Sequence, residues 1–73
     1  MKSFCYYGFT DRQLKAFRED GETVFSAKTS KPIAFVNEGT WFDWTTHKPV
    51  AIEEDEVVYD WATRKPILVI SIE

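Results

Sequence analysis

Three segments of this chain, VFSAKTSKPIAF (24–35), WFDWTTHKPVAI (41–52) and VYDWATRKPILV (58–69), lie over one another without a gap at a constant offset of 17 residues. Three columns are identical in every copy: Thr29/Thr46/Thr63, Lys31/Lys48/Lys65 and Pro32/Pro49/Pro66. Three more keep a chemical type, with Phe25/Phe42/Tyr59 aromatic, Ile33/Val50/Ile67 β-branched and Phe35/Ile52/Val69 apolar. A short repeat in strict register signals one supersecondary unit used several times. Asp43/Asp60 and Trp44/Trp61 belong to the second and third copies alone.

The repeated unit reads as a β-hairpin. Asp43 and Asp60 are placed to accept hydrogen bonds from backbone N–H groups two and three residues on, which closes a type I turn. Ser30, His47 and Arg64 then take the left-handed bulge position that follows such a turn. Lysine before proline is pushed into extended geometry, so each Lys-Pro pair reopens the chain into a returning strand, with proline at a non-donating position. Val36 to Thr40 and Glu53 to Glu56 read as connecting loops. Pro66 to Ile72 is the strongest strand signal, apolar on both faces, and is expected to be central or covered on both sides. Ser3 to Phe9, with Phe4, Tyr6 and Tyr7, reads as a short extended segment.

Ahead of the repeats, Thr10 is a good N-cap, Gln13 completes a capping box, and Phe9 and Leu14 stand as the partners of a hydrophobic staple. Gly21 supplies a helix stop. These signals predict a helix over Asp11–Asp20, with Leu14 and Phe17 on its buried face. At roughly ten residues such a helix is marginal alone and must pack on something. The expected fold is therefore α+β: an antiparallel β-meander of repeated hairpins with one N-terminal α-helix packed on the sheet. Residues 1–73 form a single domain in this reading, with the extended segment and helix in 1–21 and three hairpins in 22–73.

Such a chain buries only roughly 60% of its unfolded surface. Its 44% hydrophobic and 16% aromatic content nonetheless favours folding over disorder. The net charge of −3 gives no overall field toward nucleic acid or an anionic membrane and suits partners that are basic or mixed in charge. One cysteine, Cys5, cannot form an internal disulfide, and no apolar run is long enough to span a bilayer as a helix or to lead a signal peptide. A cytoplasmic location follows as the expectation.

One histidine (His47) and one cysteine offer no nucleophile, base and orienting group at a motif's spacing, so no catalytic residues are assigned. The same scarcity excludes a closed zinc set, and the acidic run lacks a calcium loop's spacing, so no metal or cofactor is expected. Lys31, Lys48 and Lys65, with His47 and Arg64, form a basic row at equivalent turn positions, too few charges for specific nucleic-acid readout in an acidic protein. The aromatics are the richest resource. Trp44 and Trp61, beside the turns and next to Asp43 and Asp60, are hard to bury and suit an interface. The acidic loop, with Glu53 and Glu54, and the N-terminal Phe4, Tyr6 and Tyr7 complete the candidate partner-binding set, although solubility and core packing account for most such residues.

In length, acidity and aromatic content the whole chain resembles the small phage-encoded regulators that bind bacterial RNA polymerase. That resemblance implies a non-enzymatic, protein-binding regulator that inhibits transcription initiation or modulates termination in the host cytoplasm, monomeric when free, with no membrane or specific nucleic-acid partner. The alternatives are a nucleic-acid-binding accessory protein dependent on Lys48, Arg64 and Lys65, or an inhibitor of another host enzyme.

Overall fold

The turn chemistry of the repeat is present in full. In the computed structural model, which describes residues 3–19 and 21–72, Asp43 Oδ2 accepts from the backbone N–H of Thr45 and Thr46 at 2.9 and 2.8 Å, and Asp60 Oδ2 accepts from Ala62 and Thr63 at 3.0 and 2.9 Å. Ser26 Oγ plays the same part in the first copy, accepting from Lys28 and Thr29. The invariant threonine has its own role: Oγ1 of Thr29, Thr46 and Thr63 accepts from the N–H of Lys31, Lys48 and Lys65, each at 3.3 Å. Ser30, His47 and Arg64 are left-handed, with φ of 62, 65 and 62°.

These turns join eight strands: β1 (Phe4–Gly8), β2 (Leu14–Arg18), β3 (Thr23–Ser26), β4 (Pro32–Asn37), β5 (Thr40–Asp43), β6 (Pro49–Glu54), β7 (Val57–Asp60) and β8 (Pro66–Ile72). Each pairs antiparallel with its chain neighbours, and β1 pairs β8 from Phe4↔Ile72 to Gly8↔Leu68, closing a barrel. Closure satisfies the backbone groups that an open meander leaves at its two edges.

The fold is all-β, and the α+β expectation is wrong at the N-terminus. Leu14–Arg18 is a strand, and the described part of the expected helix contains no helical residue; Asp20 lies outside the described residues. The capping pattern is not used as one: the Gln13 N–H donates to Asp11 Oδ1, and Phe9 and Leu14 are exposed. A ten-residue helix is marginal by itself, whereas β2 pairs on both sides, with β1 and with β3. There are thus four hairpins. The first, residues 6–17, is a degenerate copy of the repeat offset by 18 residues from the next: Tyr6 aligns with Val24, Gly8 with Ser26, Arg12 with Ser30 and Ala16 with Ala34. Arg12 has the same left-handed φ, 60°. Asp11 stands where the other copies have threonine and accepts from Gln13 N–H in its place.

All four hairpins have a bulge in their returning strand, where Lys15, Ile33, Val50 and Ile67 are the extra residues opposite Tyr6/Tyr7, Val24/Phe25, Trp41/Phe42 and Val58/Tyr59. Prolines 32, 49 and 66 lie opposite the outward aromatic just past the bulge, where a ladder donor can be spared. Backbone bonds stitch each turn to the preceding hairpin: Phe9 N–H to the Ile67 carbonyl, Ala27 to Lys15, Trp44 to Ile33 and Trp61 to Val50. β8 is flanked on both sides within the sheet, but it is not covered on both faces. Ile70 points into the lumen while Ile67 and Ile72 are exposed.

The lumen is filled by one large or branched residue from each first strand (Tyr6, Val24, Trp41, Val58) set against Ala16, Ala34, Ala51 and Leu68 of the returning strands. Three alanines make room for two large rings. Tyr6 and Trp41 come from opposite hairpins and meet edge to face with centroids 4.8 Å apart, a favoured aromatic geometry.

Candidate functional site

The up-and-down connectivity puts the four repeat turns at one end of the barrel and the connectors at 19–22, 38–39 and 55–56 at the other. The residues singled out from sequence divide between these ends and the lumen.

Glu53 and Tyr6 are interior. At the next level of the lumen toward the connectors, the four equivalent positions are Arg18, Val36, Glu53 and Ile70, so polar and apolar residues alternate around the barrel. Arg18 and Glu53 come from opposite hairpins and pair across the lumen at 3.3 Å, their side chains 14 and 15% exposed. The Tyr6 hydroxyl accepts from Arg18 Nε at 3.0 Å and donates to Glu53 Oε1 at 3.2 Å. Trp41 Nε1 donates to the same oxygen at 2.9 Å. Burial raises the Tyr6 pKa above its ordinary value, against the lowering effect of the Arg18 hydrogen bond. Arg18 also lies over the Phe4 ring, 4.3 Å from its centroid. Every buried side-chain polar atom among the described residues has a partner. This network closes one end of the barrel, and its charges are committed to one another.

Asp43 and Asp60 have oxygens engaged within their own turns, and backbone N–H groups, from Thr46 and Thr63 foremost, hold their pKa values below the usual one. Tyr7 is half-buried on the outer wall, in a belt of cross-strand pairs: Phe17↔Phe25, Phe35↔Phe42, Ile52↔Tyr59 and Tyr7↔Val69. Phe17 and Phe25 stack at 5.5 Å, and Phe35 and Phe42 at 5.3 Å. Glu54 is exposed at the connector end, beside an open recess lined by Ile52, Glu54, Tyr59 and Arg64.

Trp44 and Trp61 are where sequence reasoning put them, on the turn end, 43 and 38% exposed. They are not alone there. Phe9, which the helix reading assigned to a staple, occupies the equivalent position of the first hairpin, also exposed. Each of these three rings begins a residue whose N–H is bonded to the carbonyl of an exposed aliphatic on the preceding hairpin: Phe9 with Ile67, Trp44 with Ile33, Trp61 with Val50. In the fourth seam the corresponding pair is Ala27 and Lys15. The rim is therefore apolar over three of its four seams. Trp44 also meets the edge of Phe35, which His47 flanks from 5.6 Å. Arg64 lies over Trp61 at 4.8 Å and Arg12 over Phe9 at 5.7 Å. The periodic aliphatic column Ile33/Val50/Ile67 was visible in the repeat, but its pairing with the ring of the next hairpin is a barrel property.

Among the described residues no three His, Cys, Asp or Glu side chains are grouped to hold a metal ion, and no helix is long and apolar enough to cross a membrane. Comparison with protein-family models, with characterised proteins and with solved structures gives no match.

Proposed function

We propose that this protein is a non-enzymatic regulator that works by binding another protein through the turn end of its barrel. The observation that carries this reading is the rim of Phe9, Trp44 and Trp61, each seated beside Ile67, Ile33 or Val50 and all exposed. A barrel this small has every reason to turn large apolar side chains inward, and contiguous exposed apolar surface with aromatic anchors is what interfaces use. Arg12 and Arg64, stacked on two of these rings, add the residue type that accompanies such anchors.

A bacterial RNA polymerase is the first partner to test, on the resemblance in size, charge and aromatic content to phage regulators of that enzyme. The tagged chain, incubated in a bacterial lysate, is expected to retain a multisubunit protein stoichiometrically, and Trp44→Ala with Trp61→Ala to release it while the melt stays unchanged. Retention of nothing by the wild-type chain would sink the reading.

A further inference from the structure

The net charge of −3 averages over two poles of opposite sign. The turn pole, residues 8–15, 26–33, 43–50 and 60–67, carries seven Lys and Arg (Arg12, Lys15, Lys28, Lys31, Lys48, Arg64, Lys65) against three Asp, which leaves four positive charges besides His47. The connector pole, described residues of 18–23, 36–40 and 53–57, carries seven acids (Glu19, Glu22, Glu38, Glu53, Glu54, Asp55, Glu56) against Arg18, which leaves six negative charges. The smallest extent of the molecule is 22 Å, more than two Debye lengths at physiological ionic strength, where that length is about 8 Å. An incoming surface therefore meets one pole at a time.

The turn-pole carboxylates are already subtracted in that balance, and they are held within their own turns rather than offered to a partner. Asp43 and Asp60 are bonded to the backbone of their own turns, and Asp11 is shared between Gln13 N–H and Lys15 Nζ, the latter at 3.0 Å. Lys28, Lys31, Lys48 and Lys65 surround the apolar rim and are exposed.

We infer that the partner presents an acidic protein surface with an apolar centre to this pole, the aromatic and aliphatic rim filling the centre and the lysines ringing it. The inference rests on the protein-binding reading and adds the partner's chemistry to it. A protein is favoured over single-stranded nucleic acid because half of the rim is aliphatic. Ile33, Val50 and Ile67 offer no flat face to a base, where nucleic-acid platforms stack rings, but they suit the dry centre of a protein interface ringed by polar groups.

The test uses the full chain and the protein it retains from a nuclease-treated lysate, with affinity and rates followed by biolayer interferometry. Lys48→Glu with Lys65→Glu is expected to weaken binding at least about tenfold, chiefly through the on-rate, and raising NaCl from about 0.05 to 0.5 M should slow wild-type association in the same direction. Glu22→Lys with Glu38→Lys, at the other pole, should change affinity by less than about twofold. Circular-dichroism melts verify that each variant is folded, and the wild-type salt series does not depend on a variant folding. Several results would overturn the inference while leaving protein binding intact: turn-pole reversal without effect, loss on Glu54→Lys with Glu56→Lys instead, or salt-independent association. Retention abolished by nuclease assigns the pole to nucleic acid, and concentration-dependent sedimentation of the chain alone, removed by Lys48→Glu with Lys65→Glu, assigns it to a second copy. Either result overturns the acidic partner. Failure of the wild-type chain to retain any protein instead removes the reading on which the inference stands.

Discussion

Trp41 and Trp44 are three residues apart in one hairpin, yet the first is 4% exposed and the second 43%. Trp41 lies in β5 on the inward phase of the strand, where it meets Tyr6 across the lumen and spends its N–H on Glu53. Trp44 is the first turn residue past that strand, beyond the reach of the lumen, and its backbone is tied to the neighbouring hairpin while its ring stays outside. The same contrast separates the two ends of the molecule. At the connector end, polar groups have gone inside and are mutually satisfied; at the turn end, apolar groups have come out and stay exposed, with Arg12 and Arg64 lying over two of the rings. Interior polarity here serves the barrel, and exterior apolarity is the surface on which the proposed contact rests.

The sharpest way to break this contrast is Trp41→Ala. Removing a buried ring of this size costs about 3–5 kcal/mol, against a total of roughly 4–11 kcal/mol for a domain of this length. The variant should lose most of its stability in urea titration and much of its near-ultraviolet circular dichroism. A smaller loss, about 2 kcal/mol, is expected for Glu53→Ala, which strands Arg18 and two donors at a site where the pair is only partly exposed. Glu53→Gln should recover part of it, because an amide oxygen can still accept from Trp41.

Tyr6→Phe is expected to cost about 1 kcal/mol near neutral pH, the worth of a hydroxyl with two partners. Its pH dependence has a definite sign. The folded tyrosine ionises above its unfolded value of 10.0, so the stability this group contributes is intact below pH 10 and declines as pH rises above it. Chemical denaturation at pH 8 and pH 11 should show the difference between wild type and Tyr6→Phe narrowing at the higher pH. A constant difference would mean that the hydroxyl is not shielded. Smallest of all for stability is Trp44→Ala, within about 0.5 kcal/mol as for other exposed sites, with an unchanged melt. If it collapsed like Trp41→Ala, the rim would be core and the proposed docking surface would go with it.

The turns were legible because their chemistry is local. An Asp that bonds residues two and three ahead and a left-handed residue next to Lys-Pro are decided within six residues, and both are found at Asp43 and His47 as expected; the threonine that bonds two ahead, Thr46, is equally local, though only its invariance was read from the sequence. The first hairpin escaped notice because its turn keeps the geometry with other residues. Gly8 replaces the aspartate, Asp11 the threonine and Leu14 the proline, and one extra residue shifts the offset. The alternation of Tyr6 and Ala16 with Val24 and Ala34 was the signal available, and the capping pattern at Thr10 to Gln13 spoke louder.

By itself, then, the sequence determined the hairpin: its length, its turn, its bulge residue and which side chains stand beside the turn. The tertiary structure decided how many hairpins there are, that they close, and where each candidate residue sits. Those outcomes depend on contacts between residues far apart in the chain, such as Phe4 with Ile72, Tyr6 with Glu53 and Arg18 with Glu53. Closure trades a marginal helix for paired edges. It also sorts a net-acidic chain into two opposite poles, which no sum over composition can show. Trp44 was a candidate from its place beside a turn, and the barrel made it part of a rim.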